Sequence, residues 1–507
     1  MALFYGERRA LNELRSVIDS QWSNGMLPQI RFVEGQKGYS PDASEWGVKK
    51  SVSGNKRVET SGITQPPNPG YSLWRVFGES KNRPEMVKEV ETLYSGLRKY
   101  HDFLLTTRDP KREGLASVFH PWATGSDNTP CFDKLIEETR KELKQKGYGQ
   151  RIKKRKDTQY VAKGQRPKNK DYECYGRLLG LFVAKNYDQK AIFKECPFVV
   201  QDVIFNSILK ESISSMAKVS EELSKMLAKT NPKKASYYKA ETSRNKQLAL
   251  KVRKAIRKKL WDKGSGLFYS FDAREQKLIK VSTVHSLSPL FGATASKRQG
   301  EELVRHLKSG EEFSPKNGYM VPSVPLNSKE FDGKGYARGP VWPVRNWVVA
   351  MGALNYDRAL AKKVRQDTLK LVGQGHKAME RLSSLAASLM EFNSFGEKFT
   401  TPSKKQYCHG WLWDSGFAAM GWANVEEKPS TRPWEKAVER EKELEASGTG
   451  KAEARSIVRG EMGMPLFDEY FAPTDSGEVK AGSPLGADKM TWTAALFLDL
   501  VNSKAFF

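Results

Sequence analysis

The stretch His120-Pro-Trp-Ala-Thr-Gly-Ser-Asp-Asn-Thr-Pro-Cys-Phe-Asp133 sets one carboxylate, Asp127, among Gly, Ser, Asn, Thr and Pro, the residues of tight turns. Such a turn can hold an acid at the mouth of a pocket. The same residue types cap helices, and Asp127 could equally cap one beginning near Pro130. A second carboxylate, Glu469, stands among aromatics just before a proline turn, in Leu466-Phe-Asp-Glu-Tyr-Phe-Ala-Pro473. Burial there would raise its pKa and a charged partner would lower it. Two further stretches carry aromatic and polar chemistry. Gly335-Tyr-Ala-Arg-Gly-Pro-Val-Trp-Pro-Val-Arg-Asn-Trp347 puts Trp342 and Trp347 at a helix start marked by Pro343, and Tyr407-Cys-His-Gly-Trp-Leu-Trp-Asp-Ser-Gly-Phe417 combines Trp411 with Asp414. Indole faces stack on the apolar faces of sugar rings, and Arg338 and Asn346 could bond hydroxyls or a carboxylate. Tryptophan at a helix start also packs cores.

Other chemistries find little support. The six histidines show no HxxxH or HExxH spacing, the four cysteines form no CxxC pair, and there is no GxSxG elbow or P-loop. No metal site and no cofactor is expected. The opening MALFYGERRALNEL turns charged within nine residues and no apolar run approaches the ~20 residues that span a bilayer, so a soluble, cytoplasmic protein in a reducing compartment is expected.

The elements that must position these residues are mainly helices. Residues 7–22 read as a helix with Leu11, Leu14, Val17 and Ile18 on its apolar face; Asn24-Gly25 then breaks the chain. A long Gly, Ser and Pro-rich loop from Glu34 to about Pro69 carries Tyr39 and Trp46 and could serve as a lid. Helical patterns follow over 84–104, 131–146, 172–186, 198–228, 233–260, 297–308, 343–354, 356–372 and 376–392. In 198–228 the stripe Phe205, Leu209, Ile213, Met216, Leu223 and Leu227 predicts one buried face. A β-hairpin is predicted where 266–272 faces 277–282. Many helical hairpins without a fixed sequence period favour a closed α/α toroid over a solenoid, with loops at one end lining a funnel.

The chain has 507 residues, enough for a large core, and 85 Lys and Arg against 59 Asp and Glu leave a net charge of +26. Residues 141–170 hold twelve of the cations against two acids, which reads first as a solvated loop and second as a polyanion site. Between 426 and 461, seventeen of thirty-six positions are charged, as in a solvated helix or linker.

SDNTPCFD (126–133), GYARGPVWPVRNW (335–347), YCHGWLWDSGF (407–417) and FDEYFAP with TWTAALFLDL (467–500) resemble glycoside hydrolase family 63, and within it the small mannosylglycerate and glucosylglycerate hydrolases. SQWSNGMLPQIRF (20–32), ITQPP (63–67), FVVQDVIFNSIL (198–209) and SLSPLFG (286–292) add to the likeness, which touches nearly every hundred residues. The resemblance implies a mostly α, (α/α)6 toroid of six helical hairpins, with a small β-hairpin and long loops at the active-site face, forming a single catalytic domain over 1–507. It implies inverting hydrolysis of a small anionic sugar substrate, a 2-O-α-glycosyl-D-glycerate, with Asp127 as general acid and Glu469 as general base. Two carboxylates about 6.5–9.5 Å apart suit that chemistry, and a tryptophan-walled site would keep the acid protonated; Trp122 is a candidate wall. Carried over as binding residues are Tyr407, Trp411, Asp414, Trp342 and Trp347, with Tyr39, Trp46 and Gln65 closing over the glycerate end.

This sequence departs from the family's pattern in three places. The WLWD helix (407–424) opens the chain in relatives; here it comes late, beside a charged insertion at about 426–461, and a second, basic insertion lies at about 145–171. Gln29 stands where relatives tend to carry His, and Lys489 where an uncharged polar residue is expected. Two alternatives stay open: an α-glucosidase acting on oligosaccharides, and a non-catalytic helical scaffold binding nucleic acid through 141–170. Assembly as a homo-oligomer is also open.

Overall fold

The computed structural model describes residues 5–32, 40–155, 157, 163–373, 383, 386–387, 390, 410–425, 427–430, 432–462, 470–475, 480–481, 484–485 and 491–502. Proline starts several of its helices: Pro69, Pro84, Pro232 and Pro343 occupy first turns, where a missing N–H costs nothing and a fixed φ favours the helix. The described helices are α1 (Tyr5–Asp19), α2 (Ala43–Trp46), α3 (Pro69–Glu79), α4 (Arg83–Thr106), α5 (Asp133–Gln145), α6 (Asn169–Ala184), α7 (Gln189–Glu195), α8 (Val203–Leu227), α9 (Pro232–Lys259), α10 (Lys297–Lys308), α11 (Pro343–Ala353), α12 (Arg358–Gly373), α13 (Leu412–Trp422), α14 (Arg432–Ala446), α15 (Lys451–Met462) and α16 (Thr491–Asn502). None is long and apolar enough to cross a membrane.

Six elements close a ring. Helix α3 packs on α8, α8 on the 3-10 segment Val284–Ala293, that segment on α11, α11 on α16, α16 on α13, and α13 back on α3. Helices α4, α9, α10 and α12 lie against the outside of this ring, and α1 joins α13 to α3 and α4. This is the closed α/α toroid that the helical pattern predicted, in the (α/α)6 form that the resemblance implied. The ring is closed by α13, whose sequence comes late in the chain, between the early α3 and the C-terminal α16. The stripe on α8 is buried at Phe205, Leu209, Ile213, Met216 and Leu223, as a helix running between two layers requires. The charged stretch 426–461 forms the pair α14 and α15, which buries Trp434, Ala437 and Val458 and leaves its charges outside.

Short strands tie loops to the starts of ring helices. Strand β1 (Ile30–Arg31) pairs with β7 (Gly410–Trp411) directly before α13, with Ile30 opposite Trp411. Strand β2 (Val200–Gln201) precedes α8 and pairs with β5 (Phe271–Asp272), which pairs with β6 (Lys277–Leu278). The predicted hairpin therefore forms only at its turn end. Its earlier half, β4 (Leu267–Phe268), turns back instead onto β3 (Trp261–Asp262), where the Phe268 and Trp261 rings meet at 4.7 Å. Helix α8 likewise begins five residues later than its pattern, because 200–201 are extended and Asp202 caps the Phe205 N–H at 3.0 Å. The expected helix at 376–392 falls largely outside the described residues.

A buried carboxylate joins three ring helices. Asp499 on α16 accepts from Arg75 Nη2 on α3 at 2.8 Å and from Trp347 Nε1 on α11 at 2.8 Å. Removing one partner of a buried ion pair leaves the other charge uncompensated, at a cost of about 3–5 kcal/mol. Asp499→Ala is therefore expected to lower the unfolding free energy by about that amount in urea titrations. A change below about 1 kcal/mol would show that the pair contributes little to closure.

Candidate active site

The turn that carries Asp127 is built residue by residue. His120 Nδ1 accepts the Trp122 N–H at 3.1 Å and starts the 3-10 helix Pro121–Thr124. Gly125 ends it at φ +70°, a conformation that disfavours a side chain. Thr124 Oγ1 donates to the Pro121 carbonyl and accepts from Ser126 N, so the hydroxyl closes the corner. The next 3-10 turn, Pro130–Phe132, has Thr129 at its N-terminus, and α5 has Phe132. Neither helix start uses Asp127 as its cap residue.

Four elements then grip consecutive residues of that turn. Arg345 Nη2, on α11, donates to the Gly125 carbonyl at 3.1 Å. Ser126 Oγ lies 2.7 Å from His285 Nε2 in the 284–293 segment. Tyr175 Oη, on α6, donates to the Asp127 carbonyl at 2.6 Å. Asn128 Oδ1 accepts the Ala337 N–H at 2.9 Å. Asp127 itself is half-buried.

Behind the turn lies a buried polar relay. A guanidinium only donates, so His285 Nε2 accepts from Arg345 Nη1 at 3.2 Å, and its Nδ1 faces Asp202 Oδ2 at 3.7 Å. Asp202 is held in turn by Ser270 Oγ at 2.8 Å and by its cap on α8. Burial pushes His285 below the ordinary imidazole range and Arg345 down to about 10, while the charge of Asp127 pulls Arg345 the other way. Asp202, His285, Arg345 and Tyr175 were not singled out in the sequence. The one available signal was polar residues inside apolar runs, Asp202 in FVVQDVIF and Tyr175 and His285 beside buried Leu and Val.

Aromatic rings cluster around Trp122. Trp122 meets His120 at 4.6 Å, Tyr175 at 5.1 Å, Tyr172 at 6.1 Å and Trp46 at 6.3 Å. Trp46 is fully buried, and its indole N–H has no hydrogen-bond partner among the described residues. Trp342 donates from Nε1 to the Tyr336 carbonyl at 3.0 Å and lies under the Arg345 guanidinium. Trp347 goes elsewhere: its N–H is used by Asp499, and its ring packs on Tyr71, Phe291 and Phe417 in the core. Gln65 is buried beside Tyr100, whose hydroxyl donates to its carbonyl. Arg338 pairs with Asp133, and Asn346 is occupied by Val321 N, the Met320 carbonyl and Thr368.

Tyr39, Tyr407 and Glu469 lie outside the described residues. For Trp411 and Asp414 the backbone is placed, in β7 and in the first turn of α13. The chain just after Glu469 is also placed. Phe471, in β8 (Tyr470–Phe471), exchanges both backbone hydrogen bonds with Val341, at 2.7 and 2.8 Å, and Val341 directly precedes Trp342. One covalent step from that bridge begins the helix whose Arg345 holds Gly125. The EYF and SDN segments thus converge on the N-terminal end of α11.

Burial also gives the site a pH signature. His120 and His101 are held down at about 3 and His285 below its usual value, all by desolvation. The unfolded chain takes up these protons below about pH 6.5 and the folded one does not, so this stability is present above that pH and lost as the solution is acidified. His120→Asn, which keeps an acceptor for Trp122, should flatten the fall in unfolding free energy by about 1.4 kcal/mol per pH unit between pH 6 and 4. Urea denaturation at three pH values reads this directly, and parallel slopes for variant and parent would refute it.

Known proteins share these features. The model of the mannosylglycerate hydrolase MGH1-like glycoside hydrolase domain matches residues 1–384. A mannosylglycerate hydrolase of Rubrobacter radiotolerans is 33% identical over 69% of this chain and 76% of its own length. A glucosylglycerate hydrolase of Mycolicibacterium hassiacum is 27% identical over 72% of this chain and 80% of its own. Among solved structures, a glycoside hydrolase family 63 mannosylglycerate hydrolase of Thermus thermophilus with Tris superposes at a TM-score of 0.66 and 24% identity, covering 98% of this chain and 94% of that one. The same enzyme with glucose gives 0.60 at 28% identity, over 82% and 88%. With a toroid closed as described and an SDN turn set at the start of α11, the chain belongs to the MGH1-like mannosylglycerate hydrolase branch of glycoside hydrolase family 63.

Proposed function

We propose that the protein hydrolyses a 2-O-α-glycosyl-D-glycerate, mannosylglycerate or glucosylglycerate, to free sugar and glycerate with inversion at the anomeric carbon. Asp127 protonates the glycosidic oxygen as glycerate leaves. Glu469 takes a proton from the water that attacks the anomeric carbon from the opposite face. The observation that carries this reading is the convergence of the two carboxylate-bearing segments on one helix start: Gly125 through Arg345, and Phe471 through Val341. Relatives of both mannosylglycerate and glucosylglycerate specificity support the substrate class, and the Thermus thermophilus structure has been solved in complex with D-glycerate. Trp122, Trp342 and Trp46 wall the sugar and glycerate subsites in this reading, joined by Tyr407, Trp411, Asp414, Tyr39 and Gln65. The late WLWD segment takes the place in the ring that relatives fill from the start of the chain, which accounts for α13 packing between α3 and α16. Action in the cytoplasm, without cofactor, fits the same reading.

Asp127→Asn and Glu469→Gln should each lower kcat on glycosylglycerate by about 10²–10⁴-fold, the usual contribution of a general acid or base, with the melting temperature nearly unchanged. Proton NMR of the first product should show the β-anomer. An Asp127→Asn variant running near the parent rate would sink the assignment. Faster turnover of an uncharged glucobiose than of glycosylglycerate would move the substrate to oligosaccharides.

A further inference from the structure

The basic run 141–170 has no part in the chemistry proposed above, yet several of its charged groups face inward. Residues 149–155 lie flat on α6: a Cβ on Gly180 would come within 2.3 Å of the Gly149 carbonyl, and one on Gly176 would strike the Gln150 side chain. Gln150 Nε2 donates to the Tyr172 carbonyl, and Arg151 N to the Gly176 carbonyl at 3.2 Å. From this seat the segment reaches across to α2. Arg151 Nε donates to the Glu45 carbonyl at 2.9 Å and Nη2 to the Ser44 carbonyl at 3.3 Å. Lys153 N donates to Glu45 Oε1 at 2.9 Å, while Glu45 Oε2 accepts from Asp42 N at 2.8 Å and so closes the capping box of α2. A helix of four residues cannot hold itself, because nucleation consumes more entropy than one turn of hydrogen bonds returns. Its last residue is Trp46: the Trp46 carbonyl accepts from Tyr187 Oη, the Trp46 indole N–H has no partner among the described residues, and the Trp46 ring lies against Trp122. Further along, Arg155 stacks on Tyr172 at 3.9 Å and pairs with Asp157, which also accepts from Tyr172 Oη; Tyr172 in turn meets Trp122.

We infer that residues 149–155 are a strap that fixes the aromatic wall of the glycerate end, with Arg151 as the positioning residue that holds Trp46 through the backbone of α2. A guanidinium suits this task because its planar fork reaches two carbonyls of the last helical turn at once, and those carbonyls have no intrahelical partner. A lysine would reach one. The inference rests on the proposed substrate for its catalytic consequence, and on the α2 contacts alone for its structural one.

Four proteins decide it: the parent, Arg151→Ala, Trp46→Phe and the double variant, assayed on whichever glycosylglycerate the parent hydrolyses, with amide exchange followed over residues 42–47. Arg151→Ala is expected to speed exchange there and to raise KM about tenfold with kcat within about twofold, a loss of binding shared by ground and transition states. In the Trp46→Phe background the same substitution should raise KM less than twofold, because the effects run through one residue. Arg151→Lys should fall between parent and Ala; should Arg151→Ala fail to fold, Arg151→Lys and Gly180→Ala take its place in the cycle. Unchanged exchange would overturn the strap. Faster exchange with an unchanged KM, or a KM effect of equal size with and without Trp46, would overturn the positioning role. A parent inactive on every glycosylglycerate would overturn the substrate reading, and exchange would still decide the strap.

Discussion

The ring is closed by a carboxylate in its wall. Asp499 lies buried between a guanidinium from α3 and an indole N–H from α11, so helices from the beginning, middle and end of the chain share one polar contact. Apolar packing is non-directional and would tolerate α16 at several rotations. A buried charge does not, because it must meet its donors or remain at high cost. Trp347 is thereby committed to structure, and α11 is oriented so that Arg345, two residues earlier, reaches the Gly125 carbonyl of the SDN turn.

The same accounting of polar groups explains how the SDN turn is held. Gly125, Ser126, Asp127 and Asn128 each give one group to a different element. In the proposed reaction, a general acid positioned in this way needs no entropy to orient it. The groups doing so are buried, and their own pKa values are displaced by desolvation: His285 stays neutral, and Arg345 keeps its charge while pushed downward. Neutral His285 can accept from Arg345 only because the proton sits on the opposite nitrogen, toward Asp202.

The net charge of +26 does not describe one surface. In the run that looked most like a polyanion site, Arg151 is directed to backbone carbonyls and Arg155 to Asp157 and the Tyr172 face, while Lys154 remains exposed. Guanidinium groups serve well at such places because they hydrogen-bond in a plane and stack on rings. Glycines at 176 and 180 are the other half of the arrangement, since they let a second backbone lie against the helix.

Read alone, the sequence determined the class of the fold and most of its helices, because helical periodicity and proline starts act over a few neighbours and are written locally. It also offered Trp122 as a candidate wall from its place five residues before Asp127, and Trp46 through likeness to a family. The tertiary structure alone decided the directions of two tryptophans, since Trp342 at the N-cap of α11 bonds the nearby Tyr336 carbonyl and Trp347 within the helix bonds the distant Asp499. It alone revealed Asp202, His285, Arg345 and Tyr175, whose roles depend on partners many residues away. It also divided the expected hairpin, because a cross-strand partner at 200–201 and a ring contact at Trp261 drew its two halves apart. Local patterns specify which elements exist; burial of polar groups against remote partners specifies how they are turned, and that is settled only when the ring closes.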